Sequence, residues 1–251
     1  MTSIHTVAPQ ATIPETTSSW RTGGMAALAG AATNLTGPAV FIAMLLPKGL
    51  GGTEAAPGKA VGLLSDNHAA MRAWYIIIYL VFGACLVVLS LSLSERLKSR
   101  SSLVHAATTA GLIYAVLVIV IGTLQITDLD TVVRLHSHDP AQAATVYTTL
   151  TSIETGLGAG GGETMTFSLW VLVLSWAALR ARELPRLLNY LGLLLGAVGI
   201  FSVLLNSLPL MSVNGVGLIA WLLWLGIAML REGRRAALRS DRNGRPTPRY
   251  R

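Results

Sequence analysis

Residues 73–93 read AWYIIIYLVFGACLVVLSLSL, a continuous apolar stretch without a single charged side chain. A bilayer has a hydrocarbon core of about 30 Å, and an α-helix that rises ~1.5 Å per residue needs about 20 residues to cross it. Inside hydrocarbon, every backbone N–H and C=O must find its partner within the segment, which a helix achieves alone. The stretch therefore predicts a transmembrane helix.

Five more segments have the same length and character, and the whole chain is 52% hydrophobic with only 12% charged residues. A soluble domain carries about 25% charged residues, so a soluble globule and a disordered chain are both excluded. Strands of a membrane barrel would alternate in polarity, and no such alternation is present. We predict an all-α polytopic membrane protein, a bundle of six transmembrane helices with a short helix on its outer face. The six predicted spans are Gly24–Leu46, Ala73–Leu93, Leu103–Ile126, Glu163–Leu179, Leu187–Leu208 and Val213–Leu230.

Lysine and arginine alternate between the loops in a way that predicts the orientation. With the N-terminus in the cytoplasm, fifteen of these basic residues lie inside and four outside, as the positive-inside rule requires. Both termini are then cytoplasmic. We predict a flexible cytoplasmic tail over residues 1–22, a six-helix transmembrane domain over residues 23–230 and a basic cytoplasmic tail over residues 231–251.

The C-terminal tail carries eight arginines. Each basic residue near an anionic leaflet contributes about 1 kcal/mol, so we expect the tail to bind anionic lipids. The net charge of +7 is explained by topology and does not predict a nucleic-acid partner.

The longest connection, between the third and fourth spans, contains a helix-start signal at Asp139-Pro140. Asp at the N-cap followed by Pro at the first helical position favours a helix, which we expect to run to about Glu154 on the outer face. Gly156–Gly162 would then form a flexible link to the fourth span. Within the first span, Gly37-Pro38 predicts a kink that frees a backbone carbonyl.

Polar side chains within the apolar segments carry the functional signal, because they are costly in lipid and usually face a bundle interior or a wet cavity. They concentrate toward the outer ends of the spans. The predicted ligand-binding residues are Asn34, Gln125, Glu163, Asn206 and His68. The alternative is that such groups only join helices through hydrogen bonds worth about 0.6 kcal/mol each.

Other motifs limit the chemistry. His136 and His138 near Asp139 invite a metal site, but no ligand spacing matches, and solvated loop residues are the preferred interpretation. No metalloprotease, phosphate-loop or nucleophile-elbow motif occurs, and no cofactor is predicted. Gly192, Gly196 and Gly199 form a small-residue stripe that lets a neighbouring helix approach closely, with homo-oligomerisation as the alternative.

Residues 168–199, SLWVLVLSWAALRARELPRLLNYLGLLLGAVG, resemble an uncharacterised family of small six-span bacterial integral membrane proteins, a domain of unknown function. In that family a helix ending in basic residues is followed by Leu-Pro-Arg and a Leu-Gly-rich helix. The resemblance implies the six-helix fold and a bacterial cell membrane, and it brings no catalytic residues.

Three functional hypotheses follow. The leading one is a membrane protein that binds or transports a small amphipathic or hydrophobic molecule through an outward-facing polar pocket. The second is a membrane-embedded enzyme that uses acid catalysis on a lipid or isoprenoid, as small membrane terpene cyclases do, with Glu163 or Asp128 as the acid, although no motif of those cyclases occurs in this chain. The third is a regulatory or assembly subunit of a membrane complex.

Overall fold

A computed structural model describes residues 15–47, 56–97, 102–158 and 160–244 of the chain. Within these ranges the protein is built of helices and contains no strand. The α-helices are α1 Glu15–Val40, α2 Pro57–Asp66, α3 His68–Tyr75, α4 Phe82–Arg96, α5 Ser102–His136, α6 Pro140–Leu157, α7 Gly162–Ala181, α8 Arg186–Leu204 and α9 Leu208–Gly244.

Six helical segments are long and apolar enough to cross a membrane. They comprise α1, the α3–α4 segment, α5, α7, α8 and α9, and each matches a predicted span. Neighbours pack in a closed ring in the order α1, α4, α5, α7, α8 and α9, with α9 returning to α1. The prediction of an all-α multi-pass membrane protein is confirmed.

The outer surface of the ring is apolar, as contact with lipid requires. On α8, Leu187, Leu194 and Phe201 are exposed at seven-residue intervals, so they share one face of the helix. In water such a face would be unfavourable, but in a bilayer it lies against acyl chains. The opposite face of α8 carries the buried glycines.

The two ends of the transmembrane domain are more helical than the predicted boundaries indicate. Helix α1 begins at Glu15, and Trp20 is buried against the bundle, so the later part of the predicted N-terminal tail is ordered. Helix α9 continues to Gly244, so much of the predicted basic tail prolongs the last span. Residues 1–14 and 245–251 of the two predicted tails lie outside the described residues.

Two helices contain π-helical turns. Pro38 lies within α1, and a π-helical turn, Phe41–Leu45, follows it. A second π-helical turn, Ile76–Val81, joins α3 to α4 within one span. The first disturbance has a direct cause, because Pro38 has no N–H to donate to the carbonyl of Asn34.

The connection between α8 and α9 comes earlier than the predicted spans indicate, since those end at Leu208 and resume at Val213. Only Leu205, Asn206 and Ser207 separate the helices. Asn206 takes a φ of 46°, the left-handed conformation that asparagine tolerates better than most residues. Pro209, in the first turn of α9, is compatible with a helix start because that turn needs no donor there. Asn214 therefore lies inside α9 and not in a loop.

One end of the bundle, called here the α6 end, carries a layer of short helices. Asp139 caps α6 by accepting a hydrogen bond from the backbone N of Gln142 at 2.9 Å, as its sequence predicts. Helix α6 packs on α5 and on α2. Val61, Val132 and Ala143 form a small core between them. Helix α2 was not predicted, although Pro57 at its first position is a start signal.

The glycine stripe of α8 is covered by helices of the same chain. A Cβ on Gly196 would lie 2.8 Å from the backbone oxygen of Ser168 and 2.8 Å from Cβ of Leu172 on α7. Gly192 faces Ser175 on α7 and Trp221 on α9. The stripe thus serves close packing within the bundle, which was the preferred interpretation.

The middle of the bundle is filled by aromatic rings from three helices. Tyr114 of α5 stacks on Trp170 of α7 with ring centroids 5.8 Å apart. Trp170 also meets Trp221 of α9 edge-on at 5.9 Å, and Phe167 lies 5.6 Å from Tyr114. We call Tyr114, Phe167, Trp170 and Trp221 the aromatic cluster.

Candidate functional site

A cavity of about 180 Å³ lies among four spans toward the α6 end. We call it the central cavity. Its walls are contributed by α1, α5, α7 and α9, which come from opposite sides of the ring. The lining residues are Asn34, Tyr114, Glu163, Thr164, Phe167, Met211, Asn214, Gly215 and Leu218.

The structure brings two of the predicted ligand-binding residues to this cavity. Asn34, near the middle of α1, and Glu163, in the first turn of α7, both line it. An acid in the first turn of a helix is favoured by the helix dipole, by about 0.3–1 kcal/mol. Position at the helix start therefore offsets part of the cost of the carboxylate, and the fold brings it to the same cavity as Asn34.

Asn34 presents acceptors to the cavity. Its Nδ2 donates to the backbone oxygen of Gly30 at 3.0 Å, which leaves the side-chain oxygen for another partner. Its backbone carbonyl has also lost its usual donor, since Pro38 stands four residues later. The kink that the Gly37-Pro38 pair predicts thus coincides with the cavity wall.

Asn214 is a cavity residue that sequence reasoning missed as a ligand contact. It is only 3% exposed, and its Nδ2 has no hydrogen-bond partner among the described residues. The amide fits there because Gly199 of α8 leaves space: a Cβ on Gly199 would lie 2.0 Å from that nitrogen. A sequence signal was present, since Asn214 lies within the predicted sixth span and follows Pro209, a helix-start signal.

The aromatic cluster closes the central cavity toward the other end of the bundle. Tyr114 and Phe167 belong to both the cavity wall and the cluster. Tyr114 is almost fully buried. The cavity is therefore a pocket with a rigid aromatic floor and polar groups above it.

Two other predicted residues lie in a separate, smaller cavity beneath α6. Gln125 and Asp128 of α5 line this cavity of about 30 Å³ with Glu154 of α6, and both side chains are within hydrogen-bonding reach of Glu154. Its size suits two water molecules at most, because a buried water needs about 10–15 Å³ on this measure. We call it the α6 cavity. Glu163 and Asp128, the two acids considered for catalysis, therefore do not share a site.

The two remaining predicted residues lie outside both cavities. The Nε2 of His68 is 2.7 Å from Asp130, which also accepts a hydrogen bond from Arg72 at 2.7 Å. These contacts tie the start of α3 to α5, a structural role that explains the histidine. Asn206 is exposed in the α8–α9 turn. Asn214, and not Asn206, lines the central cavity.

Metal-binding geometry can be assessed for the described ranges. No group of three or more His, Cys, Asp or Glu side chains within them is arranged to hold a metal ion. His136 and His138 stand at the end of α5 and in the short link to α6. The central cavity offers one carboxylate, two amides and aromatic faces as possible contacts for a ligand.

A family model described as a domain of unknown function, DUF4386, matches residues 28–228. The resemblance that residues 168–199 carry therefore extends across all six spans. No curated protein and no solved structure matches the chain.

Proposed function

The chain belongs to the DUF4386 family, a domain of unknown function, and we propose that it is a membrane protein that binds a small amphipathic molecule in the central cavity. The structural premise is a six-span bundle with a sizeable polar cavity among its described residues. Transport of the ligand is an extension of this proposal, since the aromatic floor would have to move for passage.

The proposal depends above all on the unpaired Nδ2 of Asn214. A buried polar group without a partner costs about 1–3 kcal/mol. The Nδ2 packs toward Gly199 of α8, and Asn214 lines the cavity that also contains the Glu163 carboxylate. A purely structural amide would be expected to bond to a neighbouring helix. A ligand acceptor above the aromatic floor would remove the cost.

The size of the cavity limits the ligand. A dry cavity of about 150 Å³ accommodates benzene, so 180 Å³ fits a single ring with a short polar substituent, or a head group of similar bulk. Larger amphipathic molecules would place only one end here. Lipid-facing side chains surround the bundle, so the apolar remainder could extend toward the acyl chains.

Asn214→Leu tests the proposal with 2-phenylethanol as the probe, measured by titration calorimetry on protein in detergent micelles. We expect unchanged or higher thermal stability, because the substitution keeps the volume and removes an unpaired amide. Affinity for the probe should fall about tenfold, as the loss of one hydrogen bond worth ~1.4 kcal/mol predicts.

Asn189→Leu is the matched control, since Asn189 is equally buried but lies on α8 outside the cavity lining. Its affinity for 2-phenylethanol should equal that of the wild type. The proposal is rejected if the wild type does not bind the probe saturably, or if Asn214→Leu binds it as tightly as the wild type.

We also propose that both termini lie in the cytoplasm of a bacterial cell, with the helical arginines that follow Leu230 on anionic lipid. Alkaline phosphatase should be inactive when fused after Arg251 and active when inserted at Ser137, between α5 and α6. The reverse pattern would contradict this orientation.

Replacing Arg231, Arg234 and Arg235 with Gln should weaken sedimentation with phosphatidylglycerol nanodiscs relative to phosphatidylcholine nanodiscs.

A further inference from the structure

Glu163 is an acid without a counter-charge. No hydrogen bond or ion pair to its carboxylate is formed by the residues the structure describes, and no other residue that lines the central cavity is Lys, Arg or His. Acidic side chains at membrane depth are costly unless they pair. A positive charge would stabilise the carboxylate, and the central cavity leaves space for one beside Glu163.

The other polar atoms around the cavity favour a donor-rich ligand. Asn34 has its side-chain oxygen, since its Nδ2 donates to Gly30, and a backbone carbonyl to which Pro38 cannot donate. An ammonium group has three donors and no acceptor. It would satisfy Glu163 and Asn34 together.

The aromatic floor suits the same group. Tyr114 and Phe167 line the cavity, and their rings are held by mutual contact at 5.6 Å. A cation over an aromatic face gains electrostatic attraction that grows when water is excluded.

The charge around the α6 end attracts cations to the cavity. Acidic residues outnumber basic ones among the described residues of this end, and such a field raises the local concentration of cations. The acids are Asp66, Asp128, Asp130, Asp139, Glu154 and Glu163, and the bases are Lys59, Arg72 and Arg134.

We infer that the central cavity binds an amphipathic organic cation, an ammonium group attached to an apolar body, with Glu163 as its counter-ion. This inference rests on the proposed function and names its ligand class.

A charge series of nearly equal size tests it: 2-phenylethylammonium, 2-phenylethanol and phenylacetate, each titrated calorimetrically into protein in uncharged detergent. The wild type should bind the ammonium at least tenfold more tightly than the alcohol and should not bind the carboxylate measurably. Glu163→Gln should weaken ammonium binding about 10- to 100-fold and so reduce the preference for the ammonium over the alcohol to less than threefold.

Glu154→Gln is the matched control, because Glu154 is at the same end of the bundle but lines the α6 cavity. It removes the same charge from the surface field and should leave the tenfold preference for the ammonium in place. If Glu154→Gln abolishes the preference as fully as Glu163→Gln does, a diffuse field and not a counter-ion is responsible, and the inference is overturned.

The outcomes separate this inference from the proposed function. If alcohol and ammonium bind equally to the wild type, and Asn214→Leu weakens both, the cation inference fails while the cavity remains a binding site. If none of the three probes binds, both fail. Should Glu163→Gln not fold, displacement from the wild type decides: tetramethylammonium chloride should displace the ammonium probe, and sodium chloride of equal ionic strength should not. Equal displacement by the two salts would overturn the inference.

Discussion

Trp170→Ala is expected to lower the free energy of unfolding by about 3 kcal/mol. Trp170 is 1% exposed and contacts Tyr114, Phe167 and Trp221, so truncation removes the centre of the aromatic cluster. Truncating a buried tryptophan in a soluble core costs about 3–5 kcal/mol. The lower end applies here because lipid already surrounds apolar side chains, so the loss is one of packing contacts.

Trp176→Ala provides the control on the same helix. Trp176 is 47% exposed, and Arg180 lies over its ring at 5.6 Å, a cation–π contact worth about 0.5–1 kcal/mol. Both variants are unfolded with sodium dodecyl sulfate, and the loss of helix is followed by circular dichroism, because that signal does not require the replaced tryptophan. The comparison gives the difference in the free energy of unfolding. Equal losses would mean that the aromatic cluster is not a rigid core. They would also contradict the aromatic floor that we assign to the central cavity.

Gly196→Ala is expected to destabilise the bundle by about 2 kcal/mol, in the range that overpacking costs. The added methyl would meet the backbone oxygen of Ser168 and the Cβ of Leu172, each at 2.8 Å. Neither atom can turn away by a side-chain rotation, so α7 and α8 must move apart. The midpoint of unfolding in sodium dodecyl sulfate should fall accordingly.

Gly215→Ala should have the opposite effect, because a Cβ there meets no atom within 4 Å. Alanine is favoured over glycine in a helix by about 1 kcal/mol, so this variant should be as stable as the wild type or more so. If Gly196→Ala were also neutral, the close approach of α7 and α8 at that position would be contradicted.

The candidate site could be predicted in part. Depth along each span is readable from the sequence, because hydrophobic length determines where a residue lies in the bilayer. Depth placed Asn34, Glu163, Gln125 and Asp128 among the buried polar groups. Depth alone did not show which of these residues share a cavity, because residues at similar depth can face different sides of their helices.

Rotation of the helices assigns these residues to different cavities. Gln125 and Asp128 face α6 and form the α6 cavity with Glu154, whereas Glu163 faces Asn34 across the bundle. When the two sides of a helix differ little in polarity, the sequence gives only a weak indication of which side faces the bundle interior. Helices surrounded by lipid are apolar on every side, so periodicity no longer marks the inner face as it does in a soluble protein.

Asn206 and Asn214 illustrate the same limit at a boundary. Both flank the turn before the last span, and composition makes them equivalent. The left-handed conformation of Asn206 ends the connection after three residues, which moves Asn214 into α9 and buries it beside Gly199.

Hydropathy and the distribution of charge were sufficient to establish six membrane-spanning helices, because a bilayer imposes a length and forbids unpaired backbone groups. They were sufficient also for the helix start at Asp139-Pro140 and for the glycine face of α8. Contacts between distant spans decided the rest: that Asn34, Glu163 and Asn214 line one cavity over an aromatic floor, and that His68 lies against Asp130 of α5. Such contacts depend on how the helices rotate and interdigitate, which is settled by the packing of all six together and not by any segment alone.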